Sequence, residues 1–215
     1  MAARCHARPV FPRDLVWYLA FGMAAATVAT LFVFSRRVDH PKEFRAQDNP
    51  PPVLQVVWPI LFLGPLTYPF LVVVAPALAY GTVVTLGIIP FGEVLQVVGL
   101  ALWAVGGILV LRAGRALGRF MTIQIVIARD HELVTIGPYA RIRHPTYAGA
   151  IFLTTGVALV FLNAVLLAAA VLVVVVANYR ARKEERLLAS PEGFGAEYRQ
   201  YMARTGRFLP TLRRA

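Results

Sequence analysis

Residues 146–179 read TYAGAIFLTTGVALVFLNAVLLAAAVLVVVVANY, a run of 34 positions without a charged side chain. Roughly 20 helical residues cross a bilayer core of about 30 Å, so this run is too long for one ordinary span. Asn163 divides it into halves of 17 and 16 residues, each about 25 Å long at about 1.5 Å per residue. The stretch predicts a hairpin of two short antiparallel membrane helices that turns at Asn163.

Apolar segments upstream of the hairpin extend the membrane-embedded part of the chain. Residues 15–34 carry no charge, and no Lys or Arg occurs from residue 46 to residue 111. The expected spans before the hairpin, the second of them kinked by prolines, lie at about 15–34, 53–79 and 94–111. Two short passes are the alternative to the kinked helix. The sequence therefore predicts an all-α polytopic membrane protein with about five transmembrane helices and a C-terminal helical hairpin.

Composition and charge support this class. Of the 215 residues, 58% are hydrophobic and 15% charged, whereas about a quarter are charged in soluble domains. The net charge of +11 comes from basic residues just outside the apolar runs, which is typical of membrane topology and anionic lipid headgroups rather than of nucleic-acid binding. We expect a single domain, with N-terminal spans in 1–111 and a C-terminal half in 112–215 that carries the polar chemistry around the hairpin 146–179.

The hairpin places residues 112–145 and 180–215 on the same side of the membrane. Both segments are rich in Arg, which predicts an integral, multi-pass protein of a bacterial-type inner membrane with this side facing the cytoplasm. Five spans would put the N-terminus outside and the basic linker 35–52 inside, and six spans would reverse this. The tail is predicted to form an amphipathic helix that lies on the membrane interface through Phe194, Tyr198, Tyr201 and Met202.

Two polar clusters flank the hairpin. They are 131–147 (HELVTIGPYARIRHPTY) and 180–185 (RARKEE). Brought together, they would offer imidazole, guanidinium, phenol and carboxylate groups to a charged small molecule, while a lipid tail approaches between helices. Structural roles are the alternative, because His144 could simply end its loop before a helix-starting proline. Glu184 could likewise pair with Arg180 on an exposed helix face.

Other kinds of site have weaker support. The histidines and acidic residues form no HxxxH or HExxH pair, so no metal site is expected. The sequence contains no phosphate-binding glycine loop and no G-x-S-x-G elbow. A transporter is disfavoured because the spans contain almost no ionisable residues.

The polar clusters also carry a more specific pattern. HxLVTxGPY at 131–139 is followed by RHPxYxG at 143–149, and after the hairpin by EExxL at 184–188 and GxxYxxY at 195–201. In this order and spacing, the pattern resembles the isoprenylcysteine carboxyl methyltransferase family, whose wider group includes bacterial phospholipid methyltransferases. The resemblance covers the chain from the region of Gly118 onward, and the first 90 residues match nothing diagnostic.

The resemblance implies a membrane enzyme that uses S-adenosylmethionine without a Rossmann domain. It implies methyl transfer to a lipid-like or prenylcysteine-like acceptor at the membrane interface, with a carboxylate as the first choice. The cofactor-binding residues implied by the motifs are Gln124, His131, Glu132, Leu133, Val134, Tyr139, His144, Pro145, Thr146, Tyr147 and Glu184. Arg180 corresponds to the family's substrate-contacting arginine. The catalytic candidates are Arg180 and His144.

Several alternatives stay open at this point. A phospholipid amine or a thiol acceptor would need a base, for which His144 or Glu184 is available. The chain is shorter than the eukaryotic prenylcysteine enzymes, and its Arg-Ala-Arg-Lys run at 180–183 differs from theirs, which leaves the acceptor undecided. A sterol-reductase-like enzyme that uses NADPH has a similar polar layout, but its longer signature is absent. A non-catalytic transporter or lipid-binding protein is the third hypothesis.

Overall fold

The computed structural model describes residues 11–35, 43–79, 91–122 and 124–211. Among these residues, the main elements in chain order are α1 (Arg13–Ser35), β1 (Phe44–Gln47), α2 (Pro52–Val74), α3 (Gly92–Leu117), β2 (Val126–Ala128), α4 (Pro145–Val160), α5 (Ala164–Leu188) and α6 (Gly195–Arg204). Short 3-10 turns cover Pro76–Ala79, Gly118–Phe120 and Gly137–Ala140.

The long helices confirm the predicted membrane fold. Within the described ranges, α2, α3 and α5 are long and apolar enough to cross a membrane, and α4 is a shorter apolar helix. α1 has 23 residues and is almost uniformly apolar after its first turn. Together α1 to α5 correspond to the five predicted helices.

Asn163 makes the predicted turn between α4 and α5. Its Oδ1 accepts hydrogen bonds from the backbone N–H groups of Val165 at 2.9 Å and Leu166 at 3.2 Å. These contacts cap α5, because the first N–H groups of a helix have no partner inside it. The Asn163 amide also donates to the Tyr68 hydroxyl at 3.0 Å, which ties the turn to α2.

Several predicted boundaries were wrong. α2 ends at Val74 instead of 79, because Pro76 cannot donate to the helix and starts a 3-10 turn. α2 nevertheless passes through Pro59, Pro65 and Pro69 as one helix, so the alternative of two short passes does not hold for 52–74. The loop expected after it falls on residues 80–90, outside the described ranges. α3 extends beyond 94–111 at both ends, and α5 continues past 179 to Leu188.

A small sheet joins the linker after α1 to the polar loop after α3. β1 pairs antiparallel with β2, and the N–H of Asp48 donates to the carbonyl of Ile125 at 3.0 Å. Lys183 of α5 forms an ion pair with Asp48 at 2.6 Å, and the Arg45 guanidinium donates to the Gly193 carbonyl at 3.0 Å. The all-α prediction missed this sheet, whose strands are only four and three residues long.

α3 and α4 pack backbone against backbone through two pairs of glycines. A Cβ added to Gly156 would lie 2.7 Å from the carbonyl oxygen of Gly99 and 2.6 Å from the backbone nitrogen of Trp103. A Cβ added to Gly106 would lie 2.8 Å from the carbonyl oxygen of Gly149. The two pairs run in opposite chain order, as antiparallel helices require. Small residues allow such close approach inside a membrane, where dispersion contacts replace the hydrophobic effect.

The far end of the bundle is joined by hydrogen bonds that show the helix directions. Gln96 near the start of α3 donates to the Val160 carbonyl at the end of α4, at 2.8 Å, and accepts from the backbone N–H of Phe11 at 2.8 Å. Trp17 of α1 donates to the Val73 carbonyl at the end of α2, at 3.1 Å. The start of α1 therefore lies opposite the linker and the polar loop, as the five-span arrangement requires.

The glycine contacts predict unequal effects of the same small substitution. Gly156→Ala should destabilise the protein by about 1–3 kcal/mol, because the added methyl group must push two backbones apart. Gly107→Ala in α3 is the matched control, since its nearest new contact would be the end of the Leu153 side chain at 3.9 Å. Thermal unfolding in detergent measures both variants. Equal melting temperatures for the two would contradict the packing described here.

Candidate active site

The hairpin brings the two predicted polar clusters together at the linker end of the bundle. His144 is the residue before α4, and Pro145 occupies the first helical position, where its missing N–H costs nothing. The chain beyond α6 then runs beside this loop. The backbone N–H groups of Arg143 and His144 donate to the carbonyls of Gly206 at 2.8 Å and Arg207 at 3.0 Å, respectively.

Glu185 lies at the centre of the charged contacts. Its side chain is 9% exposed and receives Arg143 Nε at 3.0 Å on one carboxylate oxygen. Arg207 binds both oxygens, through Nε at 3.1 Å and Nη2 at 2.5 Å. Arg207 also donates to the Asn178 side chain at 2.9 Å. Paired charge-assisted hydrogen bonds of this kind fix geometry as well as compensate burial.

His144 lies between the two adjacent carboxylates. Its Nδ1 is 3.5 Å from Glu184 Oε2, and its Nε2 is 3.4 Å from Glu185 Oε1. The imidazole is 4% exposed and stacks on the Tyr147 ring at 5.4 Å. Burial alone lowers the pKa of His144, but the contacts with Glu184 and Glu185 outweigh it, so that its pKa is raised above the ordinary value near 6.5. The two carboxylates favour the protonated form of His144. Its contacts with both of them also give the residue more than the role of ending the loop.

The Glu184 carboxylate lies near four of the other predicted cofactor residues. Its side chain is 35% exposed, and its negative charge acts on His131, Tyr139, His144 and Tyr147. Burial first, and then this charge, raises the pKa of Tyr139, whereas burial lowers the pKa of His131. The structure therefore gathers residues from the loop, from α4 and from α5 around one partly exposed carboxylate.

Arg180 points into the protein, one helical turn before Glu184. It is only 2% exposed, and its guanidinium carbon lies 5.4 Å from the centre of the Trp58 ring. The Tyr147 hydroxyl is within hydrogen-bonding reach of both Arg180 and Glu184. The exposed helix-surface pair between Arg180 and Glu184 is therefore not what the structure shows.

The remaining predicted cofactor residues differ in how far they are buried and in what they contact. His131 stacks on Phe120 at 4.3 Å and meets the edge of Phe194 at 5.5 Å, so it lies in an aromatic cluster beside the carboxylate. Gln124 and Glu132 are exposed. Leu133 and Val134 are half-buried beside them, and Thr146 lies within hydrogen-bonding reach of the Tyr139 hydroxyl.

The tail does not lie on the membrane interface through its tyrosines. Tyr198 and Tyr201 are each 2% exposed, and the Tyr201 hydroxyl donates to the Tyr139 carbonyl at 2.6 Å. Burial raises the pKa of Tyr201 to about 12, so this donor keeps its proton at neutral pH. Thr205 closes the helix end by donating to the Tyr201 carbonyl at 2.6 Å. α6 is a ten-residue helix that supports the loop.

Several residues of the site were not among the predicted ones. Glu185 and Arg143 lie within the motifs, but functional roles were predicted only for their neighbours Glu184 and His144. Arg207, Asn178 and Trp58 had no signal in the sequence pattern, because they reach the site only through the fold.

No group of three or more His, Cys, Asp or Glu side chains that could hold a metal ion occurs among residues 11–35, 43–79, 91–122 and 124–211.

Comparison with known proteins gives two matches of the same kind. The family model for phospholipid methyltransferases matches residues 94–191. A solved structure of the eukaryotic intramembrane Ras methyltransferase, isoprenylcysteine carboxyl methyltransferase, is 26% identical, with a TM-score of 0.50. That match covers 74% of this chain and 52% of the other, so the chain spans about half the length of the solved protein. No curated protein sequence matches significantly.

The matched region contains both polar clusters, the hairpin and all the predicted site residues. The structural match agrees with the predicted bundle. Residues 94–191 are thus similar to phospholipid methyltransferases, and the chain is similar in sequence and fold to isoprenylcysteine carboxyl methyltransferase, which supports the family resemblance of its motifs.

Proposed function

We propose that this protein transfers a methyl group from S-adenosylmethionine to the carboxylate of a lipid-like or prenylcysteine-like acceptor. The observation that carries the proposal is the partly exposed Glu184 carboxylate, around which His131, Tyr139, His144 and Tyr147 gather. The residues come from three separate segments, and the resemblance of the motifs assigned all of them to the cofactor. The match of residues 94–191 to phospholipid methyltransferases and the similarity to the solved methyltransferase support the reaction class.

The chemistry of these side chains fits the cofactor. S-adenosylmethionine carries an ammonium, a carboxylate and a sulfonium, and a carboxylate such as Glu184 can accept the ammonium in charge-assisted hydrogen bonds. The aromatic cluster of Phe120, His131 and Phe194 offers faces and edges on which a planar base can stack. When bound, the cofactor supplies an electrophilic methyl group. The protein's part is to position and desolvate the two reactants.

The state of His144 favours an acceptor that needs no base. An imidazole whose two nitrogens face two carboxylates, and whose pKa is raised by them, is poorly suited to take a proton from an acceptor as a general base. An amine or thiol would require deprotonation during the reaction, but a carboxylate is ionised at neutral pH. His144 is therefore proposed to hold Glu184 in place for the cofactor.

Arg180 is proposed to bind the acceptor carboxylate. Guanidinium groups hold carboxylates in planar, paired hydrogen bonds, and Arg180 lies beside Glu184 and Tyr147. Because Arg180 is enclosed between α2 and α5, an acceptor reaches it from the membrane side with its apolar tail between helices. We propose that this end of the bundle faces the cytoplasm, where the soluble cofactor is available.

Cofactor identity can be tested by calorimetry on detergent-purified protein. S-adenosylhomocysteine, the product form of the cofactor, should bind at sub-millimolar concentration, and NADPH should not bind. We expect this difference because Glu184 offers a carboxylate to the ammonium group of S-adenosylhomocysteine, and NADPH has no such group. Binding of NADPH without S-adenosylhomocysteine would instead indicate a reductase, and binding of neither would leave the methyltransferase proposal without its cofactor.

Separate roles for Glu184 and Arg180 predict separate losses. Glu184→Ala should reduce the affinity for S-adenosylhomocysteine at least about tenfold, since it removes a charged hydrogen-bond acceptor worth about 1.5–3 kcal/mol. Arg180→Ala should leave that affinity within about threefold and raise the KM for S-farnesyl-cysteine. Calorimetry and radiolabelled methyl transfer measure the two effects. Equal losses of cofactor affinity in both variants would show that the roles are assigned wrongly.

The raised pKa of His144 predicts how stability depends on pH. A histidine whose folded pKa lies above its unfolded value stabilises the fold fully below the unfolded pKa, near 6.5, and loses this contribution as pH rises through the folded pKa. The melting temperature of the unmodified protein should therefore exceed that of His144→Gln most at pH 6, and the difference should shrink towards pH 9. A difference that grows with pH would mean that the imidazole is neutral.

A further inference from the structure

Trp58 lies in α2, outside the residues that the family model matches. Its side chain is only 7% exposed and packs in one apolar cluster with Ala150 of α4 and Val173, Val176 and Ala177 of α5. The indole thus belongs to the N-terminal half of the chain but is enclosed by the helices of the hairpin. Its surroundings fix the orientation of the ring.

The same ring meets two residues of the proposed site. The guanidinium carbon of Arg180 lies 5.4 Å from the ring centre. The Tyr147 ring meets the indole edge to face, with 5.3 Å between ring centres and 81° between planes. Tyr147 in turn stacks on His144 at 5.4 Å. The chain of contacts connects the apolar interior of the bundle to the carboxylate pair.

A guanidinium over an indole is held by the negative face of the ring, and the interaction strengthens where water is excluded. An arginine side chain otherwise has several rotatable bonds, and its freedom would have to be lost when an acceptor binds. With its guanidinium over the indole ring, Arg180 is already held in place before the acceptor arrives. Glu184 and Tyr147 lie among its polar neighbours.

We propose that Trp58 is a positioning residue for the acceptor. It holds the Arg180 guanidinium in the orientation that binds an acceptor carboxylate. Trp58 makes no contact with the reacting atoms in this assignment, and its effect passes through Arg180. The inference rests on the proposed function, because it takes Arg180 as the acceptor's partner.

The test uses Trp58→Leu and Trp58→Phe in the full chain, with S-adenosylmethionine and S-farnesyl-cysteine as probes. Trp58→Leu should raise the KM for S-farnesyl-cysteine by about two- to thirty-fold, the range of a cation–π contact, with kcat changed less than KM. Trp58→Phe, which keeps an aromatic face, should recover a large part of the loss. Affinity for S-adenosylhomocysteine should stay within about twofold in both variants, which also reports that they fold.

Trp103→Leu is the matched control, because Trp103 is a partly buried tryptophan of α3 that packs against the other apolar cluster. It should lower the melting temperature without raising the KM. An unchanged or lowered KM in Trp58→Leu, or equal KM changes in Trp58→Leu and Trp103→Leu, would overturn the role of Trp58 while leaving the methyltransferase proposal intact. If the unmodified protein binds S-adenosylhomocysteine but does not methylate S-farnesyl-cysteine, the carboxylate site is wrong, and the role of Trp58 falls with it.

Discussion

The buried carboxylate of Glu185 joins three parts of the chain that would otherwise only lie near one another. It binds Arg143 from the loop before α4 and Arg207 from the segment after α6, and it faces His144. Removing one partner of such a buried cluster typically costs about 3–5 kcal/mol, because a charge is left without compensation. This demand for mutual compensation keeps the His144 imidazole against Glu184. The partly exposed carboxylate owes its position to the buried one beside it.

The hairpin and the meeting of the polar clusters were predictable because both follow from local rules. A charge-free run longer than one span must turn, and Asn163 has a side chain able to cap the helix that follows. Antiparallel helices then return Arg180 and Glu184 to the level of His144. The spacing of four residues correctly predicted that Arg180 and Glu184 are neighbours on one helix. It did not predict that Arg180 is buried.

The parts of the fold and of the site that were not predicted depend on contacts between distant segments, and no local sequence pattern indicates such contacts. An amphipathic segment has the same spacing whether its apolar side meets lipid or protein, so Tyr201 was assigned to the membrane although it supports the Tyr139 carbonyl. The strand β1 is only four residues long and mostly exposed, too short for its alternation of apolar and polar residues to predict a strand, so only its partner in the later loop reveals it. Trp58 lies in a mostly apolar span, and only the fold distinguishes it from its apolar neighbours.

The sheet between β1 and β2, with the ion pair of Lys183 and Asp48, sets a lower limit on the smallest working unit. Residues 94–191 contain all the predicted site residues, but a fragment cut there would lose the aromatic face of Trp58 and the compensating charges of Asp48 and Arg207. Lys183 would then lack its ion-pair partner, and Glu185 would keep Arg143 but lose the paired hydrogen bonds from Arg207. The linker with β1 and the helix α2 are thus part of the scaffold of the site, and exchanging them for another membrane anchor would disrupt the site from outside the region that carries its motifs.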